Sequence, residues 1–236
     1  MTTYRELIYM CLDVLKGTSD DFSYTEEHIA YLLDKFRALL LKQRYGADPK
    51  KHVPYSNYQN IIITFNNIKD SDKPKLILKS DKNVPYTLQL GIPRITSNSD
   101  NYYTENYEYV SRERFKFTGN NKYLKNITYF AIDNDNAILM WNNDKYWITA
   151  GNKTIYTGPN SLQLTAIFEN PRSIQLDSTK HWMDNEFPLE ESLITTLIEM
   201  TVNALAKAVT APTDTINNGT DENASMPSVM NAGKQQ

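Results

Sequence analysis

Apolar residues recur with a helical period at the two ends of this chain and with a period of two between them. In residues 3–16, Leu7, Ile8, Cys11, Leu12 and Leu15 fall on one stripe, which predicts an amphipathic helix. Thr3 and Glu6 have the spacing of a capping box, and Gly17 suits the left-handed residue that ends a helix. A second helix is expected from Ser23–Thr25 onward, with a stripe of Ile29, Leu32, Leu33, Phe36, Leu39 and Leu40 and with Gly46 closing it. Glu26 and Glu27 at its start, and Lys42 and Arg44 in its last turn, complement the helix dipole. A third is expected in "EFPLEESLITTLIEMTVNALAKAVT". Pro188 takes the first helical position there, Glu190 and Glu191 lie in the first turn, and Pro212 is the stop. Its stripe is Leu193, Ile194, Leu197, Ile198, Thr201, Val202 and Leu205. No one of the three can hide its apolar face alone, so they are expected to pack as one small bundle. The short linker between the first two makes those antiparallel neighbours.

The middle reads as strands. The β-branched and aromatic runs are 60–65, 75–79, 86–90, 126–132, 137–141, 145–150, 153–157 and 162–168. Turn-forming residues at 133–136, 142–144 and 151–152 make 126–157 a β-meander, while 93–106 reads as a surface excursion. The expected class is α+β. Residues 1–50 with 186–210 form the helical bundle, 51–185 a β-rich, largely antiparallel insertion, and 211–236 an extended C-terminal arm. That arm is rich in Thr, Asn, Asp, Ser, Gly and Pro and has no period with which to build a core of its own.

Charge and chemistry narrow the function. A net charge of −3 gives no global attraction to nucleic acid or anionic membranes. No apolar run approaches the ~20 residues of a membrane span, and the N-terminus reads as a helix of the mature fold, so a soluble, cytoplasmically made protein is expected. The single cysteine, Cys11, excludes an intrachain disulfide and lies on a buried stripe. His28, His52 and His181 have no metal-ligand spacing. The "DNDNA" at 133–137 lacks the glycine of a calcium loop and reads as a hairpin turn. The glycines are isolated, so no phosphate-binding loop can be built. We therefore expect no catalytic residues, no metal site and no cofactor.

The stretch "YVSRERFKF" (109–117) carries three cations at alternate positions. As a strand it would put Arg112, Arg114 and Lys116 on one face and Tyr109, Phe115 and Phe117 on the other. Three readings stay open: a solvated edge, contact with an acidic protein neighbour, or contact with phosphate. With Lys122 and Lys125 the same cations would make the strip of a nucleic-acid-binding protein, the alternative function. A cell-wall hydrolase is a third class, for which the sequence offers no carboxylate cluster.

"YRELIYMCLDVLKGTSDD" followed by "YTEEHIAYLLDKFRALLLKQRY" resembles the start of a structural protein family of crAss-like bacteriophages. "YVSRERFKFTGNNKYLKNITYFAI", "IFENP" and "MDNEFPLEESLITTLIEM" resemble the same family in the same order. The family is similar to head-to-tail connector proteins of short-tailed phages. The resemblance implies a virion protein of the tail or neck that forms rings of roughly twelve copies. It would act as an adaptor between portal and tail, with the portal protein and other tail ring proteins as partners and genomic DNA in passing contact. It implies no membrane, no enzymatic activity and no active-site residues. Residues 211–236 would then be an arm that grips a neighbouring subunit or the portal, with Met226, Val229 and Met230 as apolar anchors and Pro227 keeping it extended.

Overall fold

A computed structural model describes residues 2–16, 24–47, 52–65, 77–97, 106–118, 127–141, 147–150, 153–174 and 180–210. Gly17, Lys122, Lys125, the turns at 142–144 and 151–152, and residues 211–236 with Met226, Pro227, Val229 and Met230 lie outside them.

Helix α1 (Tyr4–Lys16) opens with the expected capping box: Thr3 N donates to Glu6 Oε2 at 2.9 Å, and Glu6 N donates to Thr3 Oγ1 at 3.3 Å. Helix α2 (Glu26–Tyr45) is capped by Thr25, whose Oγ1 accepts from His28 N at 3.3 Å. The last helix, α4 (Ile194–Thr210), starts later than its sequence suggests. A 3-10 turn over Glu191–Leu193 precedes it, and Pro188 lies outside the helix altogether. Glu190 is used for a tertiary clasp rather than for the dipole. Its amide donates to Asn57 Oδ1 at 2.9 Å, and its carboxylate accepts from the Tyr45 hydroxyl and pairs with Arg44 at 3.1 Å. The three helices meet in one core built on Leu7, Ile8 and Leu15, on Ile29, Leu33 and Leu41, and on Leu197 and Leu205. Burying side chains of this size is worth roughly 1.5–3 kcal/mol each.

The strands make three sheets. In the first, β9 (Ser161–Ala166) is central between β1 (Gln59–Thr64) and β3 (Arg94–Ser97), antiparallel to both. The second has the order β2 (Ile77–Lys79), β6 (Ile138–Trp141), β5 (Ile127–Ile132), β4 (Asn106–Tyr109). The third pairs β7 (Trp147–Ala150) with β8 (Lys153–Tyr156). Among the described residues the expected meander is thus divided: β5 and β6 form the hairpin over the 133–137 turn, while β7 and β8 pair with each other in a separate sheet. The stretch 93–106 is not an excursion, because β3 lies in it and pairs with β9. Residues 86–90 form no strand. Gln89 (φ 55) and Gly91 (φ 67) are left-handed and break the extended backbone, leaving one bridge between Thr87 and Phe168.

Residues 112–118 form a helix, α3, so the condition on which Arg112, Arg114 and Lys116 would share one face is not met. The Ser111 carbonyl accepts from both Arg114 N and Phe115 N at 3.0 Å, which starts the turn. Phe115 is buried and stacks on Trp141, whose indole N–H donates to the Phe115 carbonyl at 2.8 Å, whereas Phe117 is 76% exposed. An alternating pattern would have buried both. β4, α3 and β5 form a crossover that leaves β4 parallel to β5.

One guanidinium joins the helical core to the sheets. Arg37, fully buried in α2, donates Nε to Pro188 O at 2.7 Å, Nη1 to Phe168 O at 2.8 Å and Nη2 to Asn57 O at 3.1 Å. One turn earlier, Asp34 accepts from the Tyr4 hydroxyl at 2.9 Å and from Arg172 Nε at 2.6 Å. Burial lowers Arg37 to about 10, so it stays charged at neutral pH. Burial pushes the Asp34 carboxyl up, partly offset by Arg172, by the Tyr4 hydroxyl and by Arg37.

Replacing Arg37 with Met leaves three carbonyls without donors, and should cost roughly 3–5 kcal/mol in chemical denaturation. Lysine should not rescue it, because an ammonium cannot span three divergent acceptors. For Asp34, the folded chain holds a proton in the window above the ordinary carboxylate range that the unfolded chain has released. Stability should therefore fall as pH rises through that window, and Asp34→Asn should flatten that part of the stability–pH curve.

Candidate functional site

Several polar side chains capable of chemistry have structural partners among the described residues. Among the described residues there is no cluster of three or more His, Cys, Asp or Glu able to hold a metal ion. Asp135 pairs with Lys79 at 2.5 Å and receives Ala137 N, and Asp133 pairs with Arg112, so the acidic turn is consumed by its own hairpin and by α3. His181 Nδ1 accepts from Met183 N at 3.4 Å, and His28 stacks on Tyr24. Cys11 is buried, and burial raises its thiol to about 11. Among the described residues no helix is long and apolar enough to cross a membrane.

The three described cations expected on one face do not share one. On a helix, successive residues turn by 100°, so Arg112 and Lys116 lie on one side of α3 and Arg114 on the opposite side. Arg112 is further drawn into a mixed cluster with Asp133, which Lys79 also approaches at 4.0 Å. The strip therefore loses its continuity at the residues the structure describes.

A different surface emerges on the sheet β1–β9–β3. Its inner face, with Ile63, Leu162, Leu164, Ala166 and Ile95, closes the second core together with Phe130, Ile138 and Phe168. Ile167 packs into the helical core and Phe168 into the sheet core, so the seam between them runs through adjacent residues. The outer face carries Asn60, Ile62 and Thr64 of β1, Ser161, Gln163 and Thr165 of β9, and Arg94 and Thr96 of β3, in direct register. It is polar, and its apolar member, Ile62, is 68% exposed.

A cation–aromatic cluster adjoins this face. The Arg94 guanidinium lies 5.4 Å from the Tyr55 ring centroid and donates to the Tyr55 hydroxyl, and Tyr55 in turn contacts Tyr58 at 6.1 Å. Tyr55 is 65% exposed and Ile92 is also exposed. Exposed Tyr and Arg held in place before any partner arrives are what protein interfaces favour, since little entropy remains to be lost. The left-handed Gly91 lets the backbone approach the Tyr58 hydroxyl where any Cβ would overlap it. Sequence reasoning missed this cluster because Tyr55 and Arg94 are brought together only by the sheet. It could have found Ile62, whose parity within "NIIIT" opposes that of Ile61 and Ile63.

A family model described as phage tail ring protein 2 matches residues 6–223. Ring protein 2 of Bacteroides phage crAss001 is 35% identical over 228 residues, covering 93% of this chain and 97% of that protein. The family match runs from within α1 to beyond the end of α4.

Gly91→Ala should destabilise the chain by roughly 1–3 kcal/mol, through the left-handed backbone and the overlap with Tyr58. Combining it with Tyr58→Phe should recover part of that loss. A double-mutant cycle by thermal or urea denaturation measures the recovered term, and strict additivity would contradict the close approach.

Proposed function

This chain belongs to the phage tail ring protein 2 family, and on that premise we propose that it is the ring-forming adaptor joining portal to tail in a short-tailed phage. Membership makes it a structural protein of the virion and a subunit of a multimeric tail ring. The finer reading gives the ring roughly twelve copies, with the portal and other tail ring proteins above and below it. Residues 1–50 with 186–210 serve as the frame and 51–185 as the interface-bearing insertion. Residues 211–236 are an arm that docks on a neighbouring subunit or on the portal.

The observation that best supports this is the polar outer face of β1–β9–β3 with the Arg94–Tyr55–Tyr58 cluster beside it. A closed ring of identical subunits needs heterologous contacts, in which one surface of each copy meets a different surface of the next. A pre-ordered, one-sided sheet covered by a partner meets that need without any reactive group. The basic residues of α3 contribute individually in this reading, with passing DNA or an acidic neighbour, rather than as one strip.

Mass photometry of the full chain, alone and mixed with portal, tests the role. A particle near twelve subunit masses, or a ring seated on portal, is the expected result. A monomer that ignores portal would contradict it.

A further inference from the structure

We propose that the open edge of β1 is the receptor for the C-terminal segment of a neighbouring copy, which adds to the three-stranded sheet as a fourth strand. This rests on residues 211–236 being a docking arm and supplies the site on which the arm docks.

The hydrogen-bond parity of β1 is fixed by Phe65 N, which donates to Asn160 O at 2.9 Å in continuation of the β1–β9 register. Gln59, Ile61 and Ile63 therefore turn their backbone groups toward β9, and Asn60, Ile62 and Thr64 turn theirs outward. Asp81 N takes the outward carbonyl of Thr64 at 2.9 Å. Among the described residues, none supplies a partner for the outward N–H and C=O of Asn60 and Ile62. A groove of about 670 Å³ runs along this edge, between β1 and the segments Lys82–Pro85 and Ser173–Ile174.

Natural proteins protect an edge strand with Lys, Pro, a bulge or a covering element. β1, "QNIIIT", has no charge, no proline and an exposed isoleucine, a composition suited to pairing with another strand. Strand addition of this kind draws affinity from main-chain hydrogen bonds and specificity from alternate side chains.

The C-terminal segment fits the vacancy in length and parity. Residues 211–236 can extend roughly 90 Å beyond α4, whereas a compact chain of this size has a radius of gyration of roughly 18 Å. The segment therefore has the reach to leave its own subunit. Within "MPSVM" (226–230), Pro227 lacks an N–H. If Met226, Ser228 and Met230 turn their backbone groups to β1, the missing donor faces away and costs nothing. In an antiparallel pairing the same parity places Met226 and Met230 on the sheet face of Ile62, where they cover it. Arm and edge are different surfaces, so the contact is heterologous and can close a ring.

The test uses full-length protein in assembled rings. One copy carries Ile62→Cys and a differently tagged copy carries Ser228→Cys. Cys11 is buried, so the introduced thiols are the accessible ones. Mild oxidation should give a mixed-tag disulfide dimer that is absent when Phe117→Cys replaces Ile62→Cys. Ile62→Lys, which places a charge on the edge, should weaken ring assembly roughly tenfold or more while leaving the thermal transition in place. If deleting 211–236 weakens the ring but the dimer is absent and Ile62→Lys is silent, the arm docks elsewhere and this inference falls alone. A disulfide formed only within a single chain carrying both cysteines would overturn the neighbouring-copy assignment. If the deletion leaves the ring intact, the docking-arm reading falls with it.

Discussion

A charge taken out of water is expensive, and the described residues are organised around a fully buried one, Arg37. Each nitrogen of the Arg37 guanidinium meets a different backbone carbonyl: Asn57 just before β1, Phe168 just after β9, and Pro188 on the approach to α4. The desolvation is offset only while all three segments converge on α2. Asp34, one turn away, adds Tyr4 from α1 and Arg172 from the segment after β9. Helices far apart in sequence and the sheet between them are thereby held in one geometry. Each strand of the β1–β9 pair lies within a few residues of an anchored carbonyl, so the outer face of the first sheet is presented from a fixed base.

The helices were legible because their signals are local. The Thr3–Glu6 box and the apolar stripes of α1, α2 and α4 specify the elements that pack in the helical core, although α4 begins later than its stripe and Leu39 of the α2 stripe is exposed. The misreadings arose where tertiary structure outweighed local pattern. "YVSRERFKF" alternates like a strand, yet burial of Phe115 against Trp141 and a turn closed on Ser111 make it helical. Glu190 looked like a helix-start acid and was claimed instead by Tyr45 and Arg44. "YTLQL" (86–90) has the residues of a strand, but Gln89 turns left-handed before the glycine that follows. Arg37 gave no sign of its role, since nothing local separates a helical Arg that will be buried from one that will be solvated.

The same division holds for function. Nothing local in the sequence tells which partners Asp133, Asp135, Glu190 and His181 take, and the folded chain gives each a structural one. What remains exposed is contact surface: a polar sheet face, an uncharged strand edge and an Arg94–Tyr55 cluster that only the folded chain assembles. These suit a subunit whose work is to hold neighbours in register. The chain belongs to a tail ring protein family, and each subunit of a closed ring must offer two unlike faces to its neighbours.

The central claim is that the β1–β9–β3 sheet is where one subunit meets the next. A cryo-electron microscopy reconstruction of the assembled ring tests it most directly. The account predicts the outer face around Ile62 and Arg94 buried against the adjacent copy, with an extended segment hydrogen-bonded along β1 and the Arg37 junction unchanged. A ring in which that face looks into solvent and β1 remains an open edge would contradict it.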